Sequence, residues 1–255
     1  MTKITDIIVQ DLRFPTSKDL TGSDAIHTDP DYSATYVTIK TNESNLKGFG
    51  IAFTLGKGND IVAECIRNYA PIFLGLTVDE VYKNIGKLWY EVADHGQLRW
   101  LGPEKGVVHM ALAGIFNALW DLIAKKHDKP LWRFVIDTDP QEIINWLPFK
   151  YIEDVLSKDD AYMILSKNQE KKPNRIDTLL NEGYPAYTTA AGWLGYSNEK
   201  IVQLCKKYMD EGWRHFKIKV GNNLEEDVER LKIIRNTIGD QCSIMVDANQ
   251  QWSVS

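Results

Sequence analysis

His215-Phe216-Lys217-Ile218-Lys219-Val220-Gly221 and, one helix later, Ile244-Met245-Val246-Asp247-Ala248-Asn249-Gln250 are the stretches whose reading decides the fold. Each is an apolar run ending in charged or amide side chains, the pattern of a buried strand whose C-terminal tip reaches a site. Lys219 and Asp247 stand about one β/α unit apart, taking roughly 30 residues per unit in an eight-unit barrel. Working outward, residues 187–193 read as a preceding strand, 214–220 and 243–246 as strands, and residues from Ser197 to about 211 and 224–238 as helices. Strand, helix, strand, helix, strand with short loops implies a parallel sheet with right-handed crossovers.

The first part of the chain has another rhythm. Residues 4–14, 34–41 and 47–54 read as strands, and the long polar segment 16–32 joins the first two. Its length favours function or disorder over mere linkage. Helices follow: one over 60–74 with Asn59 as its cap, one opened by the capping box Thr77-Val78-Asp79-Glu80 and running to about 93, and one over 106–126. Residues 150–182 are charged and helical, interrupted at Lys171-Lys172-Pro173-Asn174. The expected fold class is an α+β capping domain followed by the first part, about three β/α units, of a TIM-type (β/α) barrel that remains incomplete. The expected domains are 1–140, connecting helices 141–182, and barrel 183–255.

Composition bounds the function. The 255 residues carry 44% hydrophobic side chains, enough for a core, and a net charge of −5. That charge, with no long basic run, argues against nucleic acid. Cys65, Cys205 and Cys242 are widely spaced, which suggests neither a disulfide framework nor a thiolate metal site and fits a reducing, cytoplasmic setting. The chain enters a strand from Met1 without the apolar core of a signal peptide, so none is expected. The apolar run 107–124 contains His109, Asn117 and Asp121 and reads as a core helix rather than a membrane span.

Lys217 and Lys219 lie two apart on a strand and so face the same way. Spacing alone favours solvated edge lysines. The functional alternative is a general base: a second ammonium about 7 Å away and partial burial would bring a lysine from about 10.4 toward about 7–8, where it takes protons from carbon. Asp247 reads either as a turn residue or as a ligand for a hard cation such as Mg²⁺, which needs further oxygen ligands.

Taken together, these motifs resemble the mandelate racemase/muconate lactonizing branch of the enolase superfamily. Ala118-Leu119-Trp120-Asp121-Leu122, Ala124-Lys125 and Lys129-Pro130-Leu131-Trp132 are similar to its capping-domain helix. Lys217-Ile218-Lys219 is similar to its KxK and Asp247-Ala248-Asn249 to its DxN. Phe116 and Ile136 depart from the helix pattern, at positions that touch packing. Within that branch the chain resembles the L-fuconate dehydratases, through Arg13-Phe14-Pro15-Thr16, Asp24-Ala25, His27 to Ser33, Phe53 to Gly58, Gly96 to Trp100, Gly102 to Val107 and Gly183 to Thr189.

The resemblance implies a Mg²⁺ enzyme that dehydrates a six-carbon sugar acid to a 2-keto-3-deoxy acid. Lys219 would remove the C2 proton, Lys217 would neutralise the substrate carboxylate, and Asp247 would be a metal ligand. Gly22, Ser23, Asp24 and Tyr32 would contact substrate, with residues 16–32 leaning over the C-terminal ends of the barrel strands. The partner is a small sugar acid, and association into homo-oligomers is compatible with it. Other acid-sugar dehydratases, racemases or epimerases share the same first step. A catalytically silent product that binds a partner and a three-layer α/β binding module are the readings from other classes. Because further metal carboxylates and a general acid would have to lie beyond these residues, the 255-residue chain alone is expected to be inactive and to associate through an unpaired strand edge.

Overall fold

The computed structural model describes residues 1–98, 100–101 and 106–253. Arg99 and residues 102–105, part of two resembling segments, therefore lie outside the described residues. The chain divides into two compact units. The first comprises Met1–Leu12 and Ser33–Glu182, the second Arg13–Tyr32 and Gly183–Ser255.

In the first unit, β1 (Ile4–Arg13), β2 (Ser33–Thr41) and β3 (Lys47–Thr54) form a sheet in that order. β2 and β3 are antiparallel, with Val37 opposite Gly50 and Ile39 opposite Gly48. Alternation in β2 places Thr35, Val37 and Ile39 in the core, the period-two pattern of a sheet covered on one face. That cover includes α1 (Asn59–Tyr69), α2 (Val78–Ala93) and α3 (Val107–Lys126). α3 is apolar and long enough to cross a bilayer, yet most of it is buried in this core. α3 lies so close to β3 that a Cβ at Gly48 or Gly50 would sit 2.1 or 2.2 Å from its carbonyl oxygens.

The capping box of Thr77 and Glu80 forms as the sequence predicts. The cap expected at Asn59 does not. Gly58 holds the N-cap position, and Asn59 is the first helical residue, fully buried, where its side chain accepts from Thr35 and Thr54 and donates to Asp11. α1 also ends at Tyr69, with a 3₁₀ turn over Ala70–Phe73 in place of further α-helix.

α4 (Leu131–Asp137), α5 (Pro140–Trp146), α6 (Lys158–Asn168) and α7 (Lys172–Glu182) complete this unit. The interruption near Lys171 is a 3₁₀ turn, after which Pro173 is accommodated in the first turn of α7, where its missing N–H costs no bond. Residues 141–182 do not stand apart as a separate segment. They belong to the first unit, with Ile144, Phe149 and Ala161 forming a small core of their own.

The second unit contains α8 (Asn198–Asp210), β4 (His215–Lys219), α9 (Leu224–Ile238) and β5 (Ser243–Asp247). β4 and β5 are parallel, pairing Lys217 with Met245 and Lys219 with Asp247. Ser197 caps α8 and Asn223 caps α9 through backbone amides of their first turns, the usual role of these side chains. The strand expected over 187–193 is reduced to one parallel bridge between Thr188 and Phe216. A turn at Ala190–Ala191 breaks the ladder, and Lys219 N–H reaches Gly192 O at 2.9 Å beyond it. Gly192 permits that approach, since a Cβ there would lie 2.3 Å from Lys217 O. The architecture is thus an α+β capping domain followed by the opening part of a (β/α) barrel. The segment 13–32, drawn from the N-terminal part of the sequence, is grouped with the barrel part rather than with residues 1–140.

Candidate active site

The period of two on β4 puts the side chains of Lys217 and Lys219 on one side, and the parallel register puts Asp247 beside them. Lys219 Nζ donates to Asp247 Oδ2 at 2.8 Å and to Asn249 Oδ1 at 2.7 Å. Lys217 Nζ lies 3.3 Å from the same Asp247 oxygen and donates to the Tyr187 hydroxyl at 3.1 Å. The turn after β5 makes this possible. Asn249 adopts φ +47°, a left-handed conformation that Asn tolerates, and its N–H closes onto Asp247 Oδ1 at 3.1 Å.

The side chain of Lys219 is only 9% exposed, against 22% for Lys217 and 31% for Asp247. Two ammonium groups converge on one carboxylate. The Lys219 bond and the Asn249 amide hold Asp247 down at about 2, against the opposing effect of burial. For Lys217, burial works to lower the pKa, but the Tyr187 hydroxyl and Asp247 outweigh it and raise the group above the ordinary lysine value. The simple repulsion between lysines expected from spacing is therefore mediated by a shared counter-ion. The Trp193 indole stands 5.8 Å from Lys219 Nζ and the Tyr187 ring 4.7 Å from Lys217 Nζ, both within cation–π range.

The loop 16–32 attaches near the C-terminal ends of these strands. Leu194 N–H donates to Ser23 O at 3.1 Å, Gln251 Nε2 to Ala25 O at 3.1 Å, and Thr21 shares a 2.9 Å hydrogen bond with Tyr196. Each resembling loop residue has a definite place. Gly22 has φ +92°, with the ring of Tyr32 directly against its α-carbon. Ser23 is buried and donates to Thr28 O at 2.8 Å. The Asp24 carboxylate accepts the amides of Ile26 and His27, each at 2.8 Å. Tyr32 meets Trp193 edge to face, with centroids 6.2 Å apart. Burial, followed by the charge of Asp24, pushes the Tyr32 phenol up while Lys217 pulls it down. The structure thus assembles Lys217, Lys219, Asp247 and Asn249 around the strand ends, braced by Tyr187 and Trp193. Spacing did not single out those two aromatics.

Mg²⁺ prefers a set of hard oxygen ligands. Asp247 and Asn249 offer two side chains of that kind, both engaged by lysine ammonium groups. Among the described residues no group of three or more His, Cys, Asp or Glu is placed to hold a metal ion. These residues alone do not fit a complete Mg²⁺ site.

Comparison with known proteins agrees with this geometry. Residues 23–135 match the mandelate racemase / muconate lactonizing enzyme N-terminal domain, and residues 200–255 match the enolase C-terminal domain-like family. Human mitochondrial enolase superfamily member 1 is 46% identical over 253 residues, covering 99% of this chain and 57% of that protein. Its crystal structure superposes with a TM-score of 0.94. L-galactonate dehydratase of Hypocrea jecorina is 45% identical over 254 residues, covering 98% of this chain and 56% of that protein. The crystal structure of L-talarate/galactarate dehydratase from Salmonella typhimurium LT2, liganded with Mg and L-lyxarohydroxamate, shares the fold with a TM-score of 0.65 at 21% identity, over 99% of this chain and 53% of that one. The chain spans little more than half the length of these relatives. With matches to both domains of the family in the right order, and the paired lysines and aspartate at neighbouring strand ends, the chain belongs to the mandelate racemase/muconate lactonizing branch of the enolase superfamily.

Proposed function

We propose that the whole protein is an acid-sugar dehydratase, in which Lys219 removes the proton from the carbon next to the substrate carboxylate. The observation that carries this reading is the placement of Lys219 Nζ, nearly buried and aligned by Asp247 and Asn249 at the tips of neighbouring parallel strands. A base must be held in reach of one proton before its basicity matters. Lys217, beside it on the same side, supplies positive charge for the substrate carboxylate, and Tyr187 fixes its direction. After removal of the C2 proton, the C3 hydroxyl leaves with a proton as water, and the enol that results takes a proton at C3 to become the 2-keto-3-deoxy acid. Mg²⁺ belongs to the proposal for the whole protein, with Asp247 as one ligand among others supplied by further residues.

We infer L-fuconate as substrate, from the resemblance of the segments around 13–33, 53–58 and 183–189. The similarity to an L-galactonate dehydratase favours a second reading, L-galactonate. The two acids are related chemically, since L-fuconate is 6-deoxy-L-galactonate. Groups that meet C1 to C3 therefore treat them alike, and the choice rests on what surrounds C6. The test is 2-keto acid formation by the purified whole protein from each acid with Mg²⁺ present. The expected result is turnover of L-fuconate, preferred over L-galactonate by about tenfold or more, the scale at which a pocket separates a methyl from a hydroxymethyl. A reversed preference selects the second reading. No keto acid from either sugar acid contradicts both.

A further inference from the structure

α9 carries a buried ion pair that the sequence disguises. Leu224-Glu225-Glu226-Asp227-Val228-Glu229-Arg230 reads as a charged surface helix, yet Asp227 is 6% and Arg230 8% exposed. The Arg230 guanidinium joins the tip of β4 to the irregular segment at Gly192 and Trp193. Nη1 donates to Lys219 O at 2.9 Å, and Nη2 to Gly192 O at 3.2 Å and Trp193 O at 3.1 Å. Asp227 stands 3.4 Å from Nη1 and accepts Gly221 N–H at 2.7 Å with its other oxygen. The peptide unit whose Trp193 carbonyl Arg230 holds donates its Leu194 N–H to Ser23 O of the long loop at 3.1 Å.

This is where the regular ladder has failed. Past Thr188 the first strand makes no continuous pairing, and Gly192 O and Lys219 N–H provide a single direct link between the tips. A planar fork with several donors can replace missing ladder bonds. A buried pair seldom adds net stability over an apolar pair of similar volume, so its use here calls for another explanation. We propose that Arg230, paired with Asp227, is a positioning residue: it fixes the spacing between the Trp193 and Lys219 tips and so aims the Lys219 ammonium. The catalytic consequence rests on the function proposed above. The clamp itself rests on geometry alone.

The test uses the whole protein with Asp227→Leu and Arg230→Met together, which removes the clamp without stranding one buried charge. The expected result is a folded protein whose kcat falls about 100-fold, the cost of an ångström-scale misplacement, while KM stays within about threefold. Backbone amide protection at Lys219 and Gly221 should drop about tenfold, with that of Val37 in the other unit unchanged. If the double variant does not fold, Arg230→Lys, which keeps the charge and loses the fork, takes its place with the same measurements. A kcat within about threefold of wild type, or a rise in KM alone, overturns the proposal. If the wild-type protein dehydrates neither sugar acid, the function reading has failed and amide exchange alone judges the clamp. Unchanged protection at Lys219 and Gly221 then overturns it.

Discussion

At Gly22 the backbone turns through φ +92°, and a Cβ would lie 2.5 Å from the Tyr32 ring. Two costs combine in Gly22→Ala: about 1 kcal/mol for an L-residue in the left-handed conformation and the displacement of Tyr32 from Trp193. The variant should melt lower than wild type and bind sugar acid more weakly, as read by thermal unfolding and KM. An unchanged melting temperature would mean that the loop has another way to seat Tyr32. The sequence shows which residues are special here without showing how each acts. The spacing of Lys217 and Lys219 was legible because a strand alternates with period two. The bracing roles of Ser23 and Asp24 were not, since their partners are backbone groups of the same loop in a particular turn. Arg230 was hidden more deeply, because a glutamate-rich helix start gives no sign that one of its arginines points inward.

Elements are held by contacts whose sequence signals vary in strength. β3 runs against α3 with no room for side chains at Gly48 and Gly50. Gly50→Ala should therefore cost about 3 kcal/mol, the upper range for overpacking, measured by denaturant unfolding. A loss below about 0.5 kcal/mol would show that the sheet shifts away freely. α4 is pinned differently. Asp137 accepts from Arg133 Nε at 2.8 Å and Lys129 Nζ at 2.9 Å, and Lys172 at the start of α7 lies 3.6 Å away. The Arg133 bond, then the Lys129 bond, lowers the Asp137 carboxyl to about 2. A carboxylate whose folded pKa lies below its unfolded one stabilises the fold above the unfolded value and loses that contribution as pH falls toward the folded value. Asp137→Asn should thus cost about 1 kcal/mol at neutral pH, a modest figure for partly exposed partners. The difference should shrink between about pH 4 and pH 2. A difference that is constant with pH would assign the cost to packing. Element starts such as Thr77 were readable from a local four-residue pattern. Asn59 was misread because its partners Thr35 and Asp11 lie far away in sequence.

At the scale of the molecule, the second unit is assembled from two separate stretches of sequence, residues 13–32 and 183–255. A reading that cuts the sequence into consecutive domains misses this, because composition marks the loop as polar but not where it packs. Fold class was legible in the change from a sheet-then-helices pattern to alternating strands and helices, although the first barrel strand keeps only a bridge. The proposed chemistry turns on Lys219 as the base that takes the C2 proton of a sugar acid. Solvent-deuterium exchange tests this most directly. The whole protein is incubated in D₂O with L-fuconate and Mg²⁺, and deuterium at C2 is followed by NMR in remaining substrate for wild type and Lys219→Ala. Exchange is expected in wild type, with a fall of about 10³-fold or more in the variant, within the range for loss of a general base. Exchange in Lys219→Ala at the wild-type rate would contradict that role for Lys219.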